Sequence, residues 1–171
     1  DNAVKLSVSF TTNAVLLTPE MTDILASEEL DCLFQVPFDG NRDFHDKTKF
    51  HANGKGTYET ILNNIKYALQ KTGSFIIRCN YSNENISSFK ELIDEFKSIE
   101  EPEKKERIQF SFQKIWQTNE SKQTLKTLEK LQKVASEGRI KNNHSMAQLF
   151  TSCYADNENS VVINYNGDIY N

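Results

Sequence analysis

The chain has 171 residues, 37% hydrophobic and 11% aromatic, with a net charge of −4 and a pI near 5.5. That is length and apolar content for one packed domain with a small appendage, and it excludes wholesale disorder. No basic stripe points to nucleic acid, and no run approaches the roughly 18 apolar residues that cross a membrane.

Val4 to Phe10 alternates apolar and polar residues and reads as a strand. Thr18-Pro19-Glu20 then supplies an N-cap, a proline at the first helical position and an early acid, so a helix begins there and runs through Met21, Ile24 and Leu25. Cys32 to Val36 reads as a short buried strand ending at Pro37. Phe38 to Gly56 reads as a long polar loop, and loops beyond about 12 residues in compact domains are usually functional or mobile. Thr57 caps a helix with Ile61, Leu62, Ile65 and Leu69 at helical spacing, closed by Gly73. Ser74 to Asn80 is a third strand, and Asn85 caps a helix carrying Ile86, Phe89, Leu92, Ile93 and Phe96. The interleaved charges of Glu100 to Glu106 make a solvated linker, and Ile108 to Phe112 alternates again as a fourth strand. Ser121 to Glu137 is a helix with Leu125, Leu128, Leu131 and Val134 on one face, ended by Gly138. Finally, Val161-Val162-Ile163 leads through Asn166-Gly167 to Ile169-Tyr170, a hairpin signal.

Strands alternating with helices of this length imply right-handed crossovers and a parallel sheet. The expected fold is α/β, part of a TIM-type (β/α) barrel with four parallel strands, followed by the start of a small β-hairpin module. The expected divisions are 1–118 for the barrel part, 119–152 for a connecting helix and linker, and 153–171 for the hairpin module. Half a barrel leaves unpaired sheet edges, so dimerisation through them is expected. The sequence opens on Asp1-Asn2 and closes within a turn-and-strand pattern, which reads as a fragment of a longer protein. Cys32, Cys79 and Cys153 lie too far apart for a disulfide framework or a zinc site, which suits a reducing, cytoplasmic setting.

Four short motifs occur in order along the chain. Thr12-Asn13-Ala14 resembles a TNG turn, and Val36-Pro37-Phe38-Asp39-Gly40 with His45-Asp46 is similar to an SLDG…HD segment. Ile77-Arg78-Cys79-Asn80-Tyr81 followed by Asn85-Ile86 resembles an iRiN…eN segment. Cys153-Tyr154-Ala155 leading to Asn166-Gly167-Asp168-Ile169-Tyr170 looks like the opening of a SPASM module. The ordered set resembles the radical S-adenosylmethionine enzymes with a SPASM extension, which include sulfatase-maturating enzymes and peptide maturases.

The resemblance implies a partial barrel that holds S-adenosylmethionine on a [4Fe–4S] cluster. Reductive cleavage there gives a 5′-deoxyadenosyl radical that abstracts hydrogen from a side chain of a peptide or protein substrate. It places Asn13, Asp39, Arg78 and Asn80 on the cofactor and substrate face and makes Cys153 a ligand of an auxiliary cluster. The CxxxCxxC motif of the family occurs nowhere in the 171 residues, so the chain alone is expected to be inactive. Pro37 stands where the family has Ser, and Ala14 where it has Gly. Those departures suit an alternative of another class, a cluster-free relative acting as a peptide-binding or scaffold partner.

Each candidate also has a plainer reading. Asp39 suits an Asp-Gly turn and Asn13 a turn cap. Arg78, within a strand, needs a carboxylate partner, either internal or from the methionyl group. His45, His51 and His144 read as surface or loop residues, and Cys32 and Cys79 as small core residues. Trp116 reads as packing. A third idea, Asp39 and His45 as an acid/base pair of an unrelated barrel enzyme, lacks a group to orient the imidazole.

Overall fold

The structure is a computed structural model and describes residues 6–28, 30–115, 119–143, 162–163 and 168–170. Five strands form one sheet: β1 (Ser7–Thr11), β2 (Asp31–Phe38), β3 (Ser74–Tyr81), β4 (Ile108–Lys114) and β5 (Lys141–Asn143). Helix α1 (Pro19–Ser27) joins the first pair, and α2 (Arg42–Thr48) with α3 (Tyr58–Lys71) the second. A 3-10 turn (Ile86–Ser88), α4 (Phe89–Lys97) and α5 (Pro102–Lys105) join the third, and α6 (Lys122–Glu137) the fourth. The strands lie in the order β1-β2-β3-β4-β5, and every neighbouring pair is parallel. Separately, β6 (Val162–Ile163) and β7 (Ile169–Tyr170) pair antiparallel, as the Asn-Gly signal between them predicts. Cys153, Trp116, His144 and the turn residues 164–167 lie outside the described residues. No helix among the described residues is long and apolar enough to cross a membrane.

Consecutive order with one hand of crossover puts every helix on the same face of the sheet. That face carries Cys32, Phe34, Val36 and Phe38 from β2, Phe75, Ile77, Cys79 and Tyr81 from β3, and Phe110 and Phe112 from β4, all buried. Helices α3 and α4 cover it edge-on with aromatic rings: Tyr58 meets Phe38 at 5.5 Å, Phe96 meets Phe110 at 5.7 Å, and Phe89 meets Phe112 at 6.0 Å. Across the strands Phe10, Phe34 and Phe75 occupy one register row and stack at 4.9 and 5.0 Å. Gly73 closes the turn into β3 at φ +83°, where a Cβ would stand 2.8 Å from the Phe34 ring.

Among the described residues the opposite face is open and mostly polar. Its register rows read Thr11–Gln35–Ile76–Gln109, then Pro37–Arg78–Ser111, then Asn80–Gln113. Apart from Ser111, which Gln113 Nε2 hydrogen-bonds at 3.0 Å, these residues are exposed or half-buried. Parallel sheets are ordinarily apolar and covered on both faces, so a polar open face is the unusual feature of this fold.

Several expectations need correction. The sheet has five strands, not four; Lys-Asn-Asn in β5 has no apolar alternation to reveal it. The expected 38–56 loop contains α2, begun by Asn41, whose Oδ1 accepts the Phe44 N–H at 3.2 Å. The charged linker holds the one-turn helix α5, started by Pro102. Neither Thr57 nor Asn85 caps its helix through the side chain. In α6, Leu125, Leu128, Leu131 and Val134 cannot share one face, because steps of three drift by about 60° each. The helix buries Thr124, Leu131, Gln132 and Ala135 and leaves Leu125 44% exposed. Pro37 lies inside β2, its missing donor facing the place where β1 has already ended at Thr11.

The Phe34 ring is the centre of the three-ring row, so Phe34→Ala should lower stability by about 3–5 kcal/mol, with Phe34→Leu costing much less. Urea unfolding monitored by circular dichroism measures both.

Candidate functional site

All five strands run the same way, so their carboxyl ends gather at one edge of the sheet, the edge that α/β folds use for function. Asp39 follows β2 there and acts as a hub. Its Oδ2 accepts from Thr48 Oγ1 at 3.2 Å and from the Lys49 ammonium, and its Oδ1 accepts from Asn80 Nδ2 at 3.1 Å. Burial pushes the Asp39 carboxyl up, but hydrogen bonds from Lys49 and Asn80 and the Lys49 charge outweigh it and hold the group below its ordinary range. Asp39 is therefore a carboxylate at neutral pH.

Behind this pair sits Asn85, 5% exposed. Its Nδ2 donates to Asp39 O at 2.8 Å and to Asn80 O at 3.0 Å, while its Oδ1 accepts from Ser82 N at 2.7 Å. One amide thus ties the ends of β2 and β3 together. Gly40 fits beneath the same knot: its φ is +122°, and a Cβ would lie 2.4 Å from Ser88 Oγ, which itself donates to Asn85 O at 2.7 Å. The Asp39-Gly40 pair is fixed by packing as well as by turn geometry.

The His45-Asp46 pair is structural. His45 is expected at the surface, yet it is fully buried, against the Phe38 ring at 5.2 Å and the Tyr58 ring at 5.9 Å. Thr57 Oγ1 donates its single proton to Lys49 O at 3.0 Å, so His45 Nε2, 3.2 Å from Oγ1, must be the donor to it. His45 Nδ1 has no hydrogen-bond partner among the described residues. Burial, reinforced by Lys49, lowers the imidazole to about 4, so it is neutral and sequestered. The acid/base reading of Asp39 with His45 fails on this burial. Asp46 accepts the Tyr58 N–H at 2.9 Å and so caps α3, doing from a distance what Thr57 does not; its carboxyl fills the space over Gly56.

Asn13 is exposed, and its Oδ1 accepts the Val15 N–H at 3.2 Å, the turn-cap geometry. The adjoining Ala14 is buried at φ +56°, a left-handed conformation that favours glycine. Asn64 of α3 steadies it, with Nδ2 donating to Ala14 O at 2.9 Å and Val15 O at 3.1 Å. Arg78 projects from the open face, exposed, and no carboxylate pairs with it among the described residues. The premise that it must be paired because it is buried does not hold.

The structure therefore joins Asp39 and Asn80 directly, sets Arg78 on the same face two residues before Asn80, and leaves Asn13 occupied with its own turn. Lys49 and Asn64 carry no signal in the sequence, and Thr57 and Asn85 enter it only as helix caps rather than as the anchor of Lys49 and the bridge between strands. A Lys ten residues after an Asp has no local signature, and only the folded excursion between them brings the two together. Cys32 and Cys79 are buried beneath the helices, as core cysteines are. Among the described residues no three His, Cys, Asp or Glu side chains gather into a metal-binding group. Set against protein-family models and curated proteins, the chain matches none.

Two predictions test the knot. Asn85→Ala leaves two carbonyls and one N–H without this partner, so stability should fall by about 3 kcal/mol in chemical denaturation. For His45 the folded value lies below the ordinary 6.5, so its contribution is complete above pH 6.5 and is lost as pH falls toward 4. Thermal melts should show up to about 3 kcal/mol disappearing across that window, with His45→Phe flattening it.

Proposed function

We propose that this chain is part of a radical S-adenosylmethionine maturase acting on a peptide or protein side chain. In this reading the open face of the sheet is the inner wall of a partial (β/α) barrel. The observation that carries it is the polarity of that wall. A closed barrel that serves only as scaffold fills its interior with layers of Val, Ile and Leu. Here the corresponding positions hold Gln35, Gln109, Arg78, Ser111, Asn80 and Gln113, with Ile76 and Pro37 the apolar members of the same rows, a set that suits a solvated lumen with a ligand in it. Ordered resemblance along the chain adds the identity of that ligand.

The described residues fit the organic cofactor. The Arg78 guanidinium, exposed and free of a carboxylate among the described residues, is a bidentate donor for the methionyl carboxylate. Asn80 beside it adds hydrogen-bonding capacity, Asp39 holds Asn80, and Asn13 lies at the rim. When bound, S-adenosylmethionine supplies the hydrogen-abstracting group; the chain's own part is to bind, orient and screen. The described residues do not fit an iron–sulfur cluster. Both described cysteines face the helices, so thiolate ligands have to come from elsewhere, Cys153 for the auxiliary cluster among them. Pro37 and Ala14, the departures from the family pattern, favour the second reading, a cluster-free peptide-binding or scaffold partner. A cytoplasmic setting, and dimerisation of this chain through the outer edges of β1 and β5, belong to the proposal as well.

The test is iron and acid-labile sulfide content with EPR, on protein carrying this sequence within its native reading frame and reconstituted without oxygen. Two or more [4Fe–4S] clusters are expected, one signal shifting when S-adenosylmethionine is added. Arg78→Ala should weaken that binding about 10- to 100-fold while leaving iron content unchanged. A folded protein free of iron would overturn the catalytic reading and leave the binding partner.

A further inference from the structure

Lys49 stands ten residues beyond Asp39, and the chain between them makes a closed excursion. Asn41 starts α2, His45 anchors it in the core, and Lys49 ends it with its N–H donating to His45 O at 3.0 Å. The Lys49 carbonyl is then gripped twice, by Thr57 N at 3.2 Å and Thr57 Oγ1 at 3.0 Å. A backbone held this way aims the ammonium back at Asp39 Oδ2, where Thr48 Oγ1 also donates. With one carboxylate oxygen fixed by these two donors, the other is directed at Asn80.

The consequence lies in the Asn80 amide. A carboxylate only accepts, so the side of Asn80 facing Asp39 must be Nδ2, at 3.1 Å. Its Oδ1 then points away from Asp39, and no described residue donates to it. Asn80 shares the open face with Arg78, two positions earlier on β3. A cationic donor and a neutral acceptor thus stand two positions apart on one face, the acceptor's direction set by Asp39.

We infer that Lys49 is a positioning residue: through Asp39 it fixes the Asn80 amide so that Oδ1 stands as an acceptor beside Arg78, for a ligand carrying an anionic group and a nearby hydroxyl or amine donor. This rests on the proposed cofactor site for the ligand's identity, but not for the relay itself. Without Lys49 the Asp39 carboxylate loses its fixed rotamer, and Asn80 can present either side.

Two readouts test it. In the first, side-chain amide NMR should find one Asn80 Hδ protected from exchange in the wild type, unprotected in Lys49→Met and protected again in Lys49→Arg. Asp39→Asn, which leaves no carboxylate without its lysine, should lose the same protection if Lys49→Met fails to fold. In the second, titration with S-adenosylhomocysteine should show about tenfold weaker binding by Lys49→Met, the size of one lost hydrogen bond. Repeating it with analogues lacking either the α-amine or the ribose hydroxyls identifies the donor, because the analogue without it should bind wild type and variant alike. Unchanged amide protection in Lys49→Met, or equal weakening toward every analogue, overturns the inference. Wild-type protein that binds none of these ligands while the amide effect persists would sink the cofactor reading and uphold the relay.

Discussion

Parallel strands laid down in consecutive order, each joined to the next by a crossover of one hand, can place helices on one side of a sheet only. Everything else in this fold follows from that constraint. Apolar side chains are confined to the covered face, where the Phe10–Phe34–Phe75 row and the edge-on rings of Tyr58, Phe89 and Phe96 fill the space between sheet and helices. The other face is left for residues that tolerate water. Because side chains alternate along a strand, Arg78 and Asn80 cannot be moved to the core side without exposing Ile77 and Cys79.

The same constraint brings the strand ends to one edge, where three chain segments have to be joined without a sheet to hold them. Asn85 does this for β2 and β3 with a single buried amide, and Asp39 with Lys49 closes the excursion that leaves from the same place. The two devices overlap at Asp39, whose backbone carbonyl belongs to one and whose carboxylate to the other. Polar networks of this kind are demanding because every member needs its partners, and this one reaches the open face at Asn80.

How much of this was legible depended on whether the signal was local. Strands β1 to β4 and helices α1, α3, α4 and α6 carry periodicity or caps that read directly, and Cys32 and Cys79 sit in apolar strands where burial is the plain expectation. Strand β5 has only polar residues and owes its pairing to β4, so nothing in its own sequence announced it. His45 reads as a loop residue because the stretch from Phe38 to Gly56 is mostly polar; it enters the core from a helix of seven residues whose other side is solvated. Asp39 and Asn80 stand out by their position at strand ends, and their direct contact across 41 residues becomes visible only with the parallel register. A paired Arg78 follows only if strand interiors are buried, which holds for one face of this sheet and not for the face that carries it.

Between Phe50 and Gly56 the chain makes a small bridged tip, with His51 N–H donating to Lys55 O at 2.8 Å. Nothing lies within 4 Å of where a side chain on Gly54 would begin, although Gly56, two residues on, is pressed against Asp46. Both stems of the tip are clamped, so extra residues inserted at Ala52 to Gly54 would not be felt at Asp39 or at the start of α3. Loop-closure entropy makes such growth cheap, on the order of 0.6 kcal/mol for each doubling of length. New reach can therefore be acquired at this tip at low cost, by lengthening or trimming it, while the foundations stay as they are.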